Sequence, residues 1–209
     1  TVAAHQDARA RLAFDEWLWL YVATQYQKCQ KQARQLSDPL MASGQLFSAY
    51  CARLPYTLTG AQQRVIAAIQ ADIQREYPMN RLVQGDVGCG KTDVAVAALL
   101  MAVESGKKGF LMAPTDVLAT QHYVKLSQLL TPIGVSVVCL KGALSGRERR
   151  ETLAQLAQEA PLIVVGTQAL VQSSVLMRQV GLIVVDEQHR FGVLQRLALQ
   201  DKGQLPHAL

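Results

Sequence analysis

Charged residues make up only 18% of this 209-residue chain and aromatic residues only 6%, while half of it is hydrophobic. That shortage of charge excludes the low-hydrophobicity, high-charge composition of disordered segments and leaves a globular one. Cysteine is also sparse. Cys29, Cys51, Cys89 and Cys139 lie far apart with no CxxC pair, which excludes the usual zinc-ligand spacings and makes free thiols the expectation. No apolar run approaches the roughly 18 residues that span a bilayer, and no segment joins a basic flank, an apolar core and a small-residue cleavage site. A soluble, cytoplasmic protein with no membrane partner is expected. Acidic residues are outnumbered, 16 against 21 Lys and Arg, for a formal charge of +5. This balance suits a polyanionic partner, but apart from a cluster at Arg147, Arg149 and Arg150 the cations are scattered, so charge alone selects no function.

What the chain does have is periodicity. From about residue 9 to 36, Leu12, Phe14, Trp17, Leu18, Leu20, Tyr21 and Val22 recur at mostly helical spacing, predicting one long helix or two with an aromatic stripe that serves as core. Residues 37–52 contain Pro39 and Gly44 and read as a connector or short helix. A helix over 61–75 follows a plausible Thr59 N-cap. Beyond it, short apolar runs at 81–84, 109–113, 135–140, 162–165 and 182–185 alternate with helical patterns at 91–105, 116–130 and 146–159. Buried strands alternating with helices predict an α/β fold with a mostly parallel, doubly wound sheet. Residues 1–53 are expected to form a helical linker or extension and 54–209 the α/β domain.

Between the first of those strands and its helix lies Gly85-Asp86-Val87-Gly88-Cys89-Gly90-Lys91-Thr92, the pattern of a phosphate-binding loop in the strand-to-helix context it requires. Gly85, Gly88 and Gly90 permit backbone conformations that aim successive N–H groups at phosphate oxygens. The helix start adds its partial positive charge, Lys91 adds a mobile one for the β- and γ-phosphates, and the Thr92 hydroxyl can ligate Mg²⁺. ATP with Mg²⁺ is the expected ligand, held by residues 85–92, with Cys89 a spectator thiol. The run Leu182-Ile183-Val184-Val185 ends in Asp186-Glu187. In isolation such a pair is a helix cap or a solvated turn. Downstream of a phosphate loop, Asp186 becomes the Mg²⁺-side carboxylate and Glu187 the group that orients or deprotonates the attacking water.

The loop and the segment Asp186-Glu187-Gln188-His189 together resemble the nucleotide site of superfamily 2 helicases, whose acidic motif reads DExH; that resemblance implies a RecA-like P-loop NTPase fold and adds His189 to the catalytic set. Extended through Arg190-Phe191-Gly192-Val193, with Gln84-Gly85-Asp86-Val87-Gly88, Ala113-Pro114-Thr115, Leu54-Pro55-Tyr56-Thr57-Leu58-Thr59-Gly60-Ala61-Gln62 and Gly166-Thr167-Gln168-Ala169-Leu170, the sequence resembles the RecG family of branched-DNA helicases over nearly its whole length. The resemblance implies adenine recognition by Gln62 and Tyr56. It further implies sugar–phosphate contacts at Pro114, Thr115 and Thr167, and an Arg190 segment that couples DNA engagement to hydrolysis. Phosphate contacts of this kind carry no sequence information. Gln188 stands where transcription-repair coupling factors, the nearest competing resemblance, usually carry Glu; a non-motor nucleotide-binding module is the other alternative.

The same resemblance implies a second RecA-like lobe bearing an arginine for phosphoryl transfer and a wedge domain that engages forked or four-way DNA. Neither fits within 209 residues. The chain is therefore expected to be the first motor lobe of a monomeric helicase, a fragment binding MgATP and hydrolysing it feebly, with DNA recombination and repair as the setting.

Overall fold

In the computed structural model, four of the five strands among the described residues are runs of nearly continuous apolar residues, the pattern of strands covered on both faces. The structure describes residues 2–34, 37–142, 144–171, 178–187 and 206–209. They divide into two compact units, 1–36 and 37–209.

In the larger unit, α2 (Gln45–Cys51), α3 (Gly60–Ile73) and α4 (Lys91–Glu104) precede β1 (Lys108–Met112). Then follow α5 (Asp116–Leu130), β2 (Val137–Leu140), α6 (Gly146–Ala157), β3 (Ile163–Gly166), β4 (Val180–Val185) and β5 (His207–Ala208). The sheet order is β2-β3-β1-β4-β5 and every pairing is parallel. This is the α/β, mostly parallel architecture expected from the alternation of elements. Side chains alternate between faces as the pleat requires. Leu111, Ile163, Val165, Leu182 and Val184 pack with residues of α3, α4 and α5. Phe110, Met112, Val164 and Ile183 pack instead with Leu156 of α6. Gly109 lets α4 approach the sheet closely, because a Cβ there would lie 2.7 Å from a Leu99 methyl.

Helix ends are tied by polar groups. Thr59 caps α3 through a full capping box with Gln62, and Ser145 does the same for α6 with Glu148. Glu104, at the end of α4, accepts from the backbone amides of Gly44 and Leu46 at the start of α2. Lys108 is fully buried, and its ammonium donates to the carbonyls of Leu156 at 2.8 Å, Arg178 at 3.1 Å and Gln158. It closes the C-terminal end of α6, although burial lowers its pKa.

Two expectations are corrected. Residues 81–84 form no strand: Asn80 bridges Ala208, the Arg81 amide donates to the Ala208 carbonyl, and the short β5 offers this side of the sheet no longer ladder. The aromatic stripe near the N-terminus is not core. The smaller unit contains one helix, α1 (Val2–Arg34), on which Trp17, Trp19, Leu20 and Tyr21 are exposed. Apolar residues fill 17–22 consecutively and so point all round the helix, and a single helix supplies no second layer to bury them.

β5 carries a fully buried histidine. His207 Nδ1 accepts the Met79 amide at 2.9 Å, Ser37 Oγ lies 3.5 Å from Nε2, and burial lowers the imidazole below its ordinary pKa of 6.5. The folded state thus binds a proton less readily than the unfolded chain. Stability should be complete above pH 6.5 and should fall as pH drops through that value toward the lower folded-state pKa. Urea midpoints measured between about pH 5 and pH 7 should show this slope, and His207→Gln should flatten it.

Candidate functional site

Register decides where the site lies. Met112 pairs with Gly166 on one side and Val185 on the other, and Leu140 pairs with Gly166, so β1 to β4 end along one edge. The segments leaving those ends carry Pro114 and Thr115, Lys141, Thr167, and Asp186 with Glu187. In open α/β sheets this carboxyl edge is where ligands bind.

The phosphate loop reaches α4 through Gly90, the helix N-cap, at φ 81. Alanine there would meet both the left-handed backbone and the Gln62 side-chain nitrogen. Lys91 folds back over the loop, its ammonium donating to the carbonyls of Gly85 at 2.7 Å and Asp86 at 2.8 Å. Thr92 is half-buried in the first turn of α4. Gln62 joins this loop to α3: its amide oxygen accepts from the Thr59 backbone at 2.7 Å, and its amide nitrogen donates to Cys89 O at 3.2 Å and Gly90 O at 3.4 Å. Gly85, Asp86, Val87, Gly88 and Cys89 are all exposed.

Beside the loop, Asp93 is buried in the first turn of α4 and accepts two phenols, Tyr50 at 2.8 Å and Tyr56 at 3.0 Å. Burial and then the carboxylate bond raise the pKa of both tyrosines. Tyr56 remains half exposed next to the loop, a ring held at its hydroxyl end. Asp93 was not among the residues singled out from sequence. Its signal was its place immediately after Lys91-Thr92, where an acid also complements the helix dipole.

Asp186 is fixed through its backbone amide, which donates to Met112 O at 2.9 Å, and through its carboxylate, which lies 3.0 Å from His122 Nε2 on α5. The His122 hydrogen bond holds Asp186 below the usual carboxylate range against the opposing effect of burial, with the Lys91 charge also lowering it. Glu187 follows at φ 53, an uncommon left-handed backbone for a non-glycine residue, and its side chain is exposed. Sequence reasoning missed His122 as well; it lies two helical turns beyond Thr115 and therefore on the same side of α5.

Thr115 caps α5 by accepting the Leu118 amide at 3.3 Å. Thr167 is largely buried and its hydroxyl donates to Asp116 at 3.0 Å, tying the segment after β3 to the start of α5. Lys141 after β2 donates to Thr120 of the same helix at 2.9 Å. The structure thus gathers Tyr56, Gln62 and residues 85–92 around the loop, and sets Pro114, Thr115, Thr167, Asp186 and Glu187 along the strand ends. His189 and Arg190 lie outside the described residues.

The family described as DEAD/DEAH box helicase matches residues 59–204. The chain belongs to the DEAD/DEAH box helicase family. Membership implies that its nucleotide site serves ATP, and it agrees with the RecA-like fold. Among similar curated proteins are an ATP-dependent DNA helicase RecG from Synechocystis sp., 45% identical over 97% of this chain, and another from Acidithiobacillus ferridurans, 46% identical over 95%. The chain spans 24% and 29% of the length of those two relatives. Among solved structures, RecG bound to a three-way DNA junction superposes with a TM-score of 0.86 at 36% identity, over all of this chain and 28% of that one. The yeast DEAD-box splicing factor Prp28, at 18% identity and a TM-score of 0.58 over 84% of this chain and 46% of its own, shares the fold. The resemblance to RecG drawn from the motifs is borne out. Among the described residues of this family member, no helix is long and apolar enough to cross a membrane.

The Tyr50–Asp93 bond joins a fully buried hydroxyl to a carboxylate. Tyr50→Phe should therefore cost roughly 1.5–3 kcal/mol of stability. Tyr56→Phe, at a half-exposed ring, should cost less than about 1 kcal/mol. Urea denaturation of the two variants side by side measures the contrast.

Proposed function

We propose that this chain supplies the first motor lobe of an ATP-dependent DNA helicase of the RecG kind, acting on forked or four-way DNA. Residues 54–209 would be the lobe and 1–53 a helical linker whose stretch from 37 onward packs in the same compact unit as the lobe. The observation that carries the reading is the common edge formed by β1 to β4. It places a carboxylate held in its ionised form, within electrostatic reach of Lys91, beside the segments at Pro114–Thr115 and Thr167. A module that only stored nucleotide would have no need of the latter segments. DNA as substrate is supported by the names of the relatives, and a branched form of it by the solved RecG structure bound to a three-way junction. A wedge domain would read the branch, and the motor would act as a monomer.

The residues fit a metal-bound triphosphate. Lys91 carries a charge that now rests on two neutral carbonyls and is better matched by phosphate oxygens. Asp186 stays ionised, and Thr92 stands at the helix start that receives the phosphates. Thr92 and Asp186 would hold Mg²⁺, which when bound neutralises the charge on the transferring phosphoryl oxygens. Gln62 and Tyr56, which both lie against the loop, would read the base. Glu187 would orient the attacking water, its backbone turning it out of the line of β4. Efficient turnover also needs an arginine from a second lobe, so these 209 residues should bind nucleotide well and hydrolyse it feebly.

A fluorescent ATP analogue with Mg²⁺, titrated into the chain and into Lys91→Ala, tests the assignment. Loss of the charge-assisted contacts should weaken binding by about 2–3 kcal/mol, roughly 30- to 150-fold. Forked DNA should shift the wild-type affinity, because two ligands on one edge are linked. Binding that depends on Lys91 but ignores DNA would favour the non-motor module. Binding indifferent to Lys91 would end the nucleotide reading.

A further inference from the structure

We propose that His122 is the positioning residue for Asp186, and that through it α5 binds the cation side of the nucleotide site to the strand-end segments assigned to DNA. The inference rests on the reading of Asp186 as the Mg²⁺-side carboxylate.

Three side chains in the first two turns of α5 each reach a different strand end. Asp116 accepts the Thr167 hydroxyl at 3.0 Å beyond β3, Thr120 accepts the Lys141 ammonium at 2.9 Å beyond β2, and His122 meets Asp186 at 3.0 Å beyond β4. The helix begins at the Thr115 cap beyond β1. One rigid element therefore touches the exits of four neighbouring strands, and the His122 contact is the one of these three that reaches Asp186 of the nucleotide site.

The direction of the bond follows from chemistry. An ionised carboxylate has no hydrogen to give, so the His122 Nε2–H donates and Asp186 Oδ2 accepts. The Asp186 backbone is fixed by its bond to Met112 O, which by itself leaves the carboxylate free to rotate; the neighbouring Glu187 amide also bonds the carboxylate, and His122 is the partner that reaches it from α5. Holding Oδ2 removes that rotation and sets where the other oxygen points. The His122 side chain is only 16% exposed, so packing limits its own movement. Outer partners of this kind orient metal-ligating carboxylates, and their loss typically costs about 10- to 100-fold in metal affinity.

The test titrates Mg²⁺ against a fluorescent ADP analogue bound to the full 209-residue chain, with nucleotide affinity in EDTA measured in parallel. His122→Ala should raise the half-saturating Mg²⁺ concentration roughly tenfold or more while leaving the EDTA affinity within about twofold. His122→Gln, whose side-chain nitrogen can reach a similar position, should restore most of the loss. Should the alanine variant melt early, His122→Leu fills the same space without a donor and takes its place. The proposal is overturned if the donor-free variant keeps the wild-type Mg²⁺ dependence while Asp186→Asn loses it, or if His122→Gln is as impaired as the donor-free variant. If Asp186→Asn itself leaves the Mg²⁺ dependence unchanged, the assignment of the cation site fails, and the positioning role fails with it.

Discussion

Parallel strands that finish in register deliver their next residues to the same place. The pairings of Met112 with Gly166 and Val185, and of Leu140 with Gly166, impose that condition here. The remaining features of the site depend on it, since Thr115, Lys141, Thr167 and Asp186 are far apart in sequence and are neighbours because four strands end together. The apolar residues behind the edge make the register costly to change. A slip of one residue would exchange Phe110 and Met112 for Leu111 between the two faces of the sheet.

Polar groups inside the unit act as ties between elements. Lys108 gathers three carbonyls from two segments, Glu104 binds the start of α2 to the end of α4, and Asp93 holds Tyr50 and Tyr56 against the loop helix. Removing any of them would leave polar partners unsatisfied, at greatest cost where the partner is buried, as Tyr50 is. Such ties specify one arrangement of helices around the loop where apolar packing would accept several.

Local features were legible in the sequence because local physics decides them. The Thr59 cap, the Asp116–Leu130 helix and the glycine loop before Lys91 depend on neighbours within a few positions, and the structure has them where the pattern places them. Residues 81–84 have the composition of a strand, but a strand exists only with a partner, and β5 bridges the preceding Asn80 and takes one bond from the Arg81 amide. The aromatic residues of α1 have the composition of a core, but a core needs a second surface. His122 and Asp93 escaped notice because their roles come from residues 64 and 43 or 37 positions away, distances at which no spacing rule operates. The motif names the Asp186 carboxylate; only the fold names the imidazole that holds it.

The folding of Lys91 onto Gly85 and Asp86 has a consequence for selectivity. The loop is not a bare positive site, because Lys91 is engaged by two well-formed carbonyl bonds. An incoming anion is weighed against those bonds and succeeds only by offering Lys91 more than they do. A weak or singly charged anion meets a closed account, whereas a polyphosphate brings several oxygens at once. The loop therefore favours an anion that can offer Lys91 several oxygens at once.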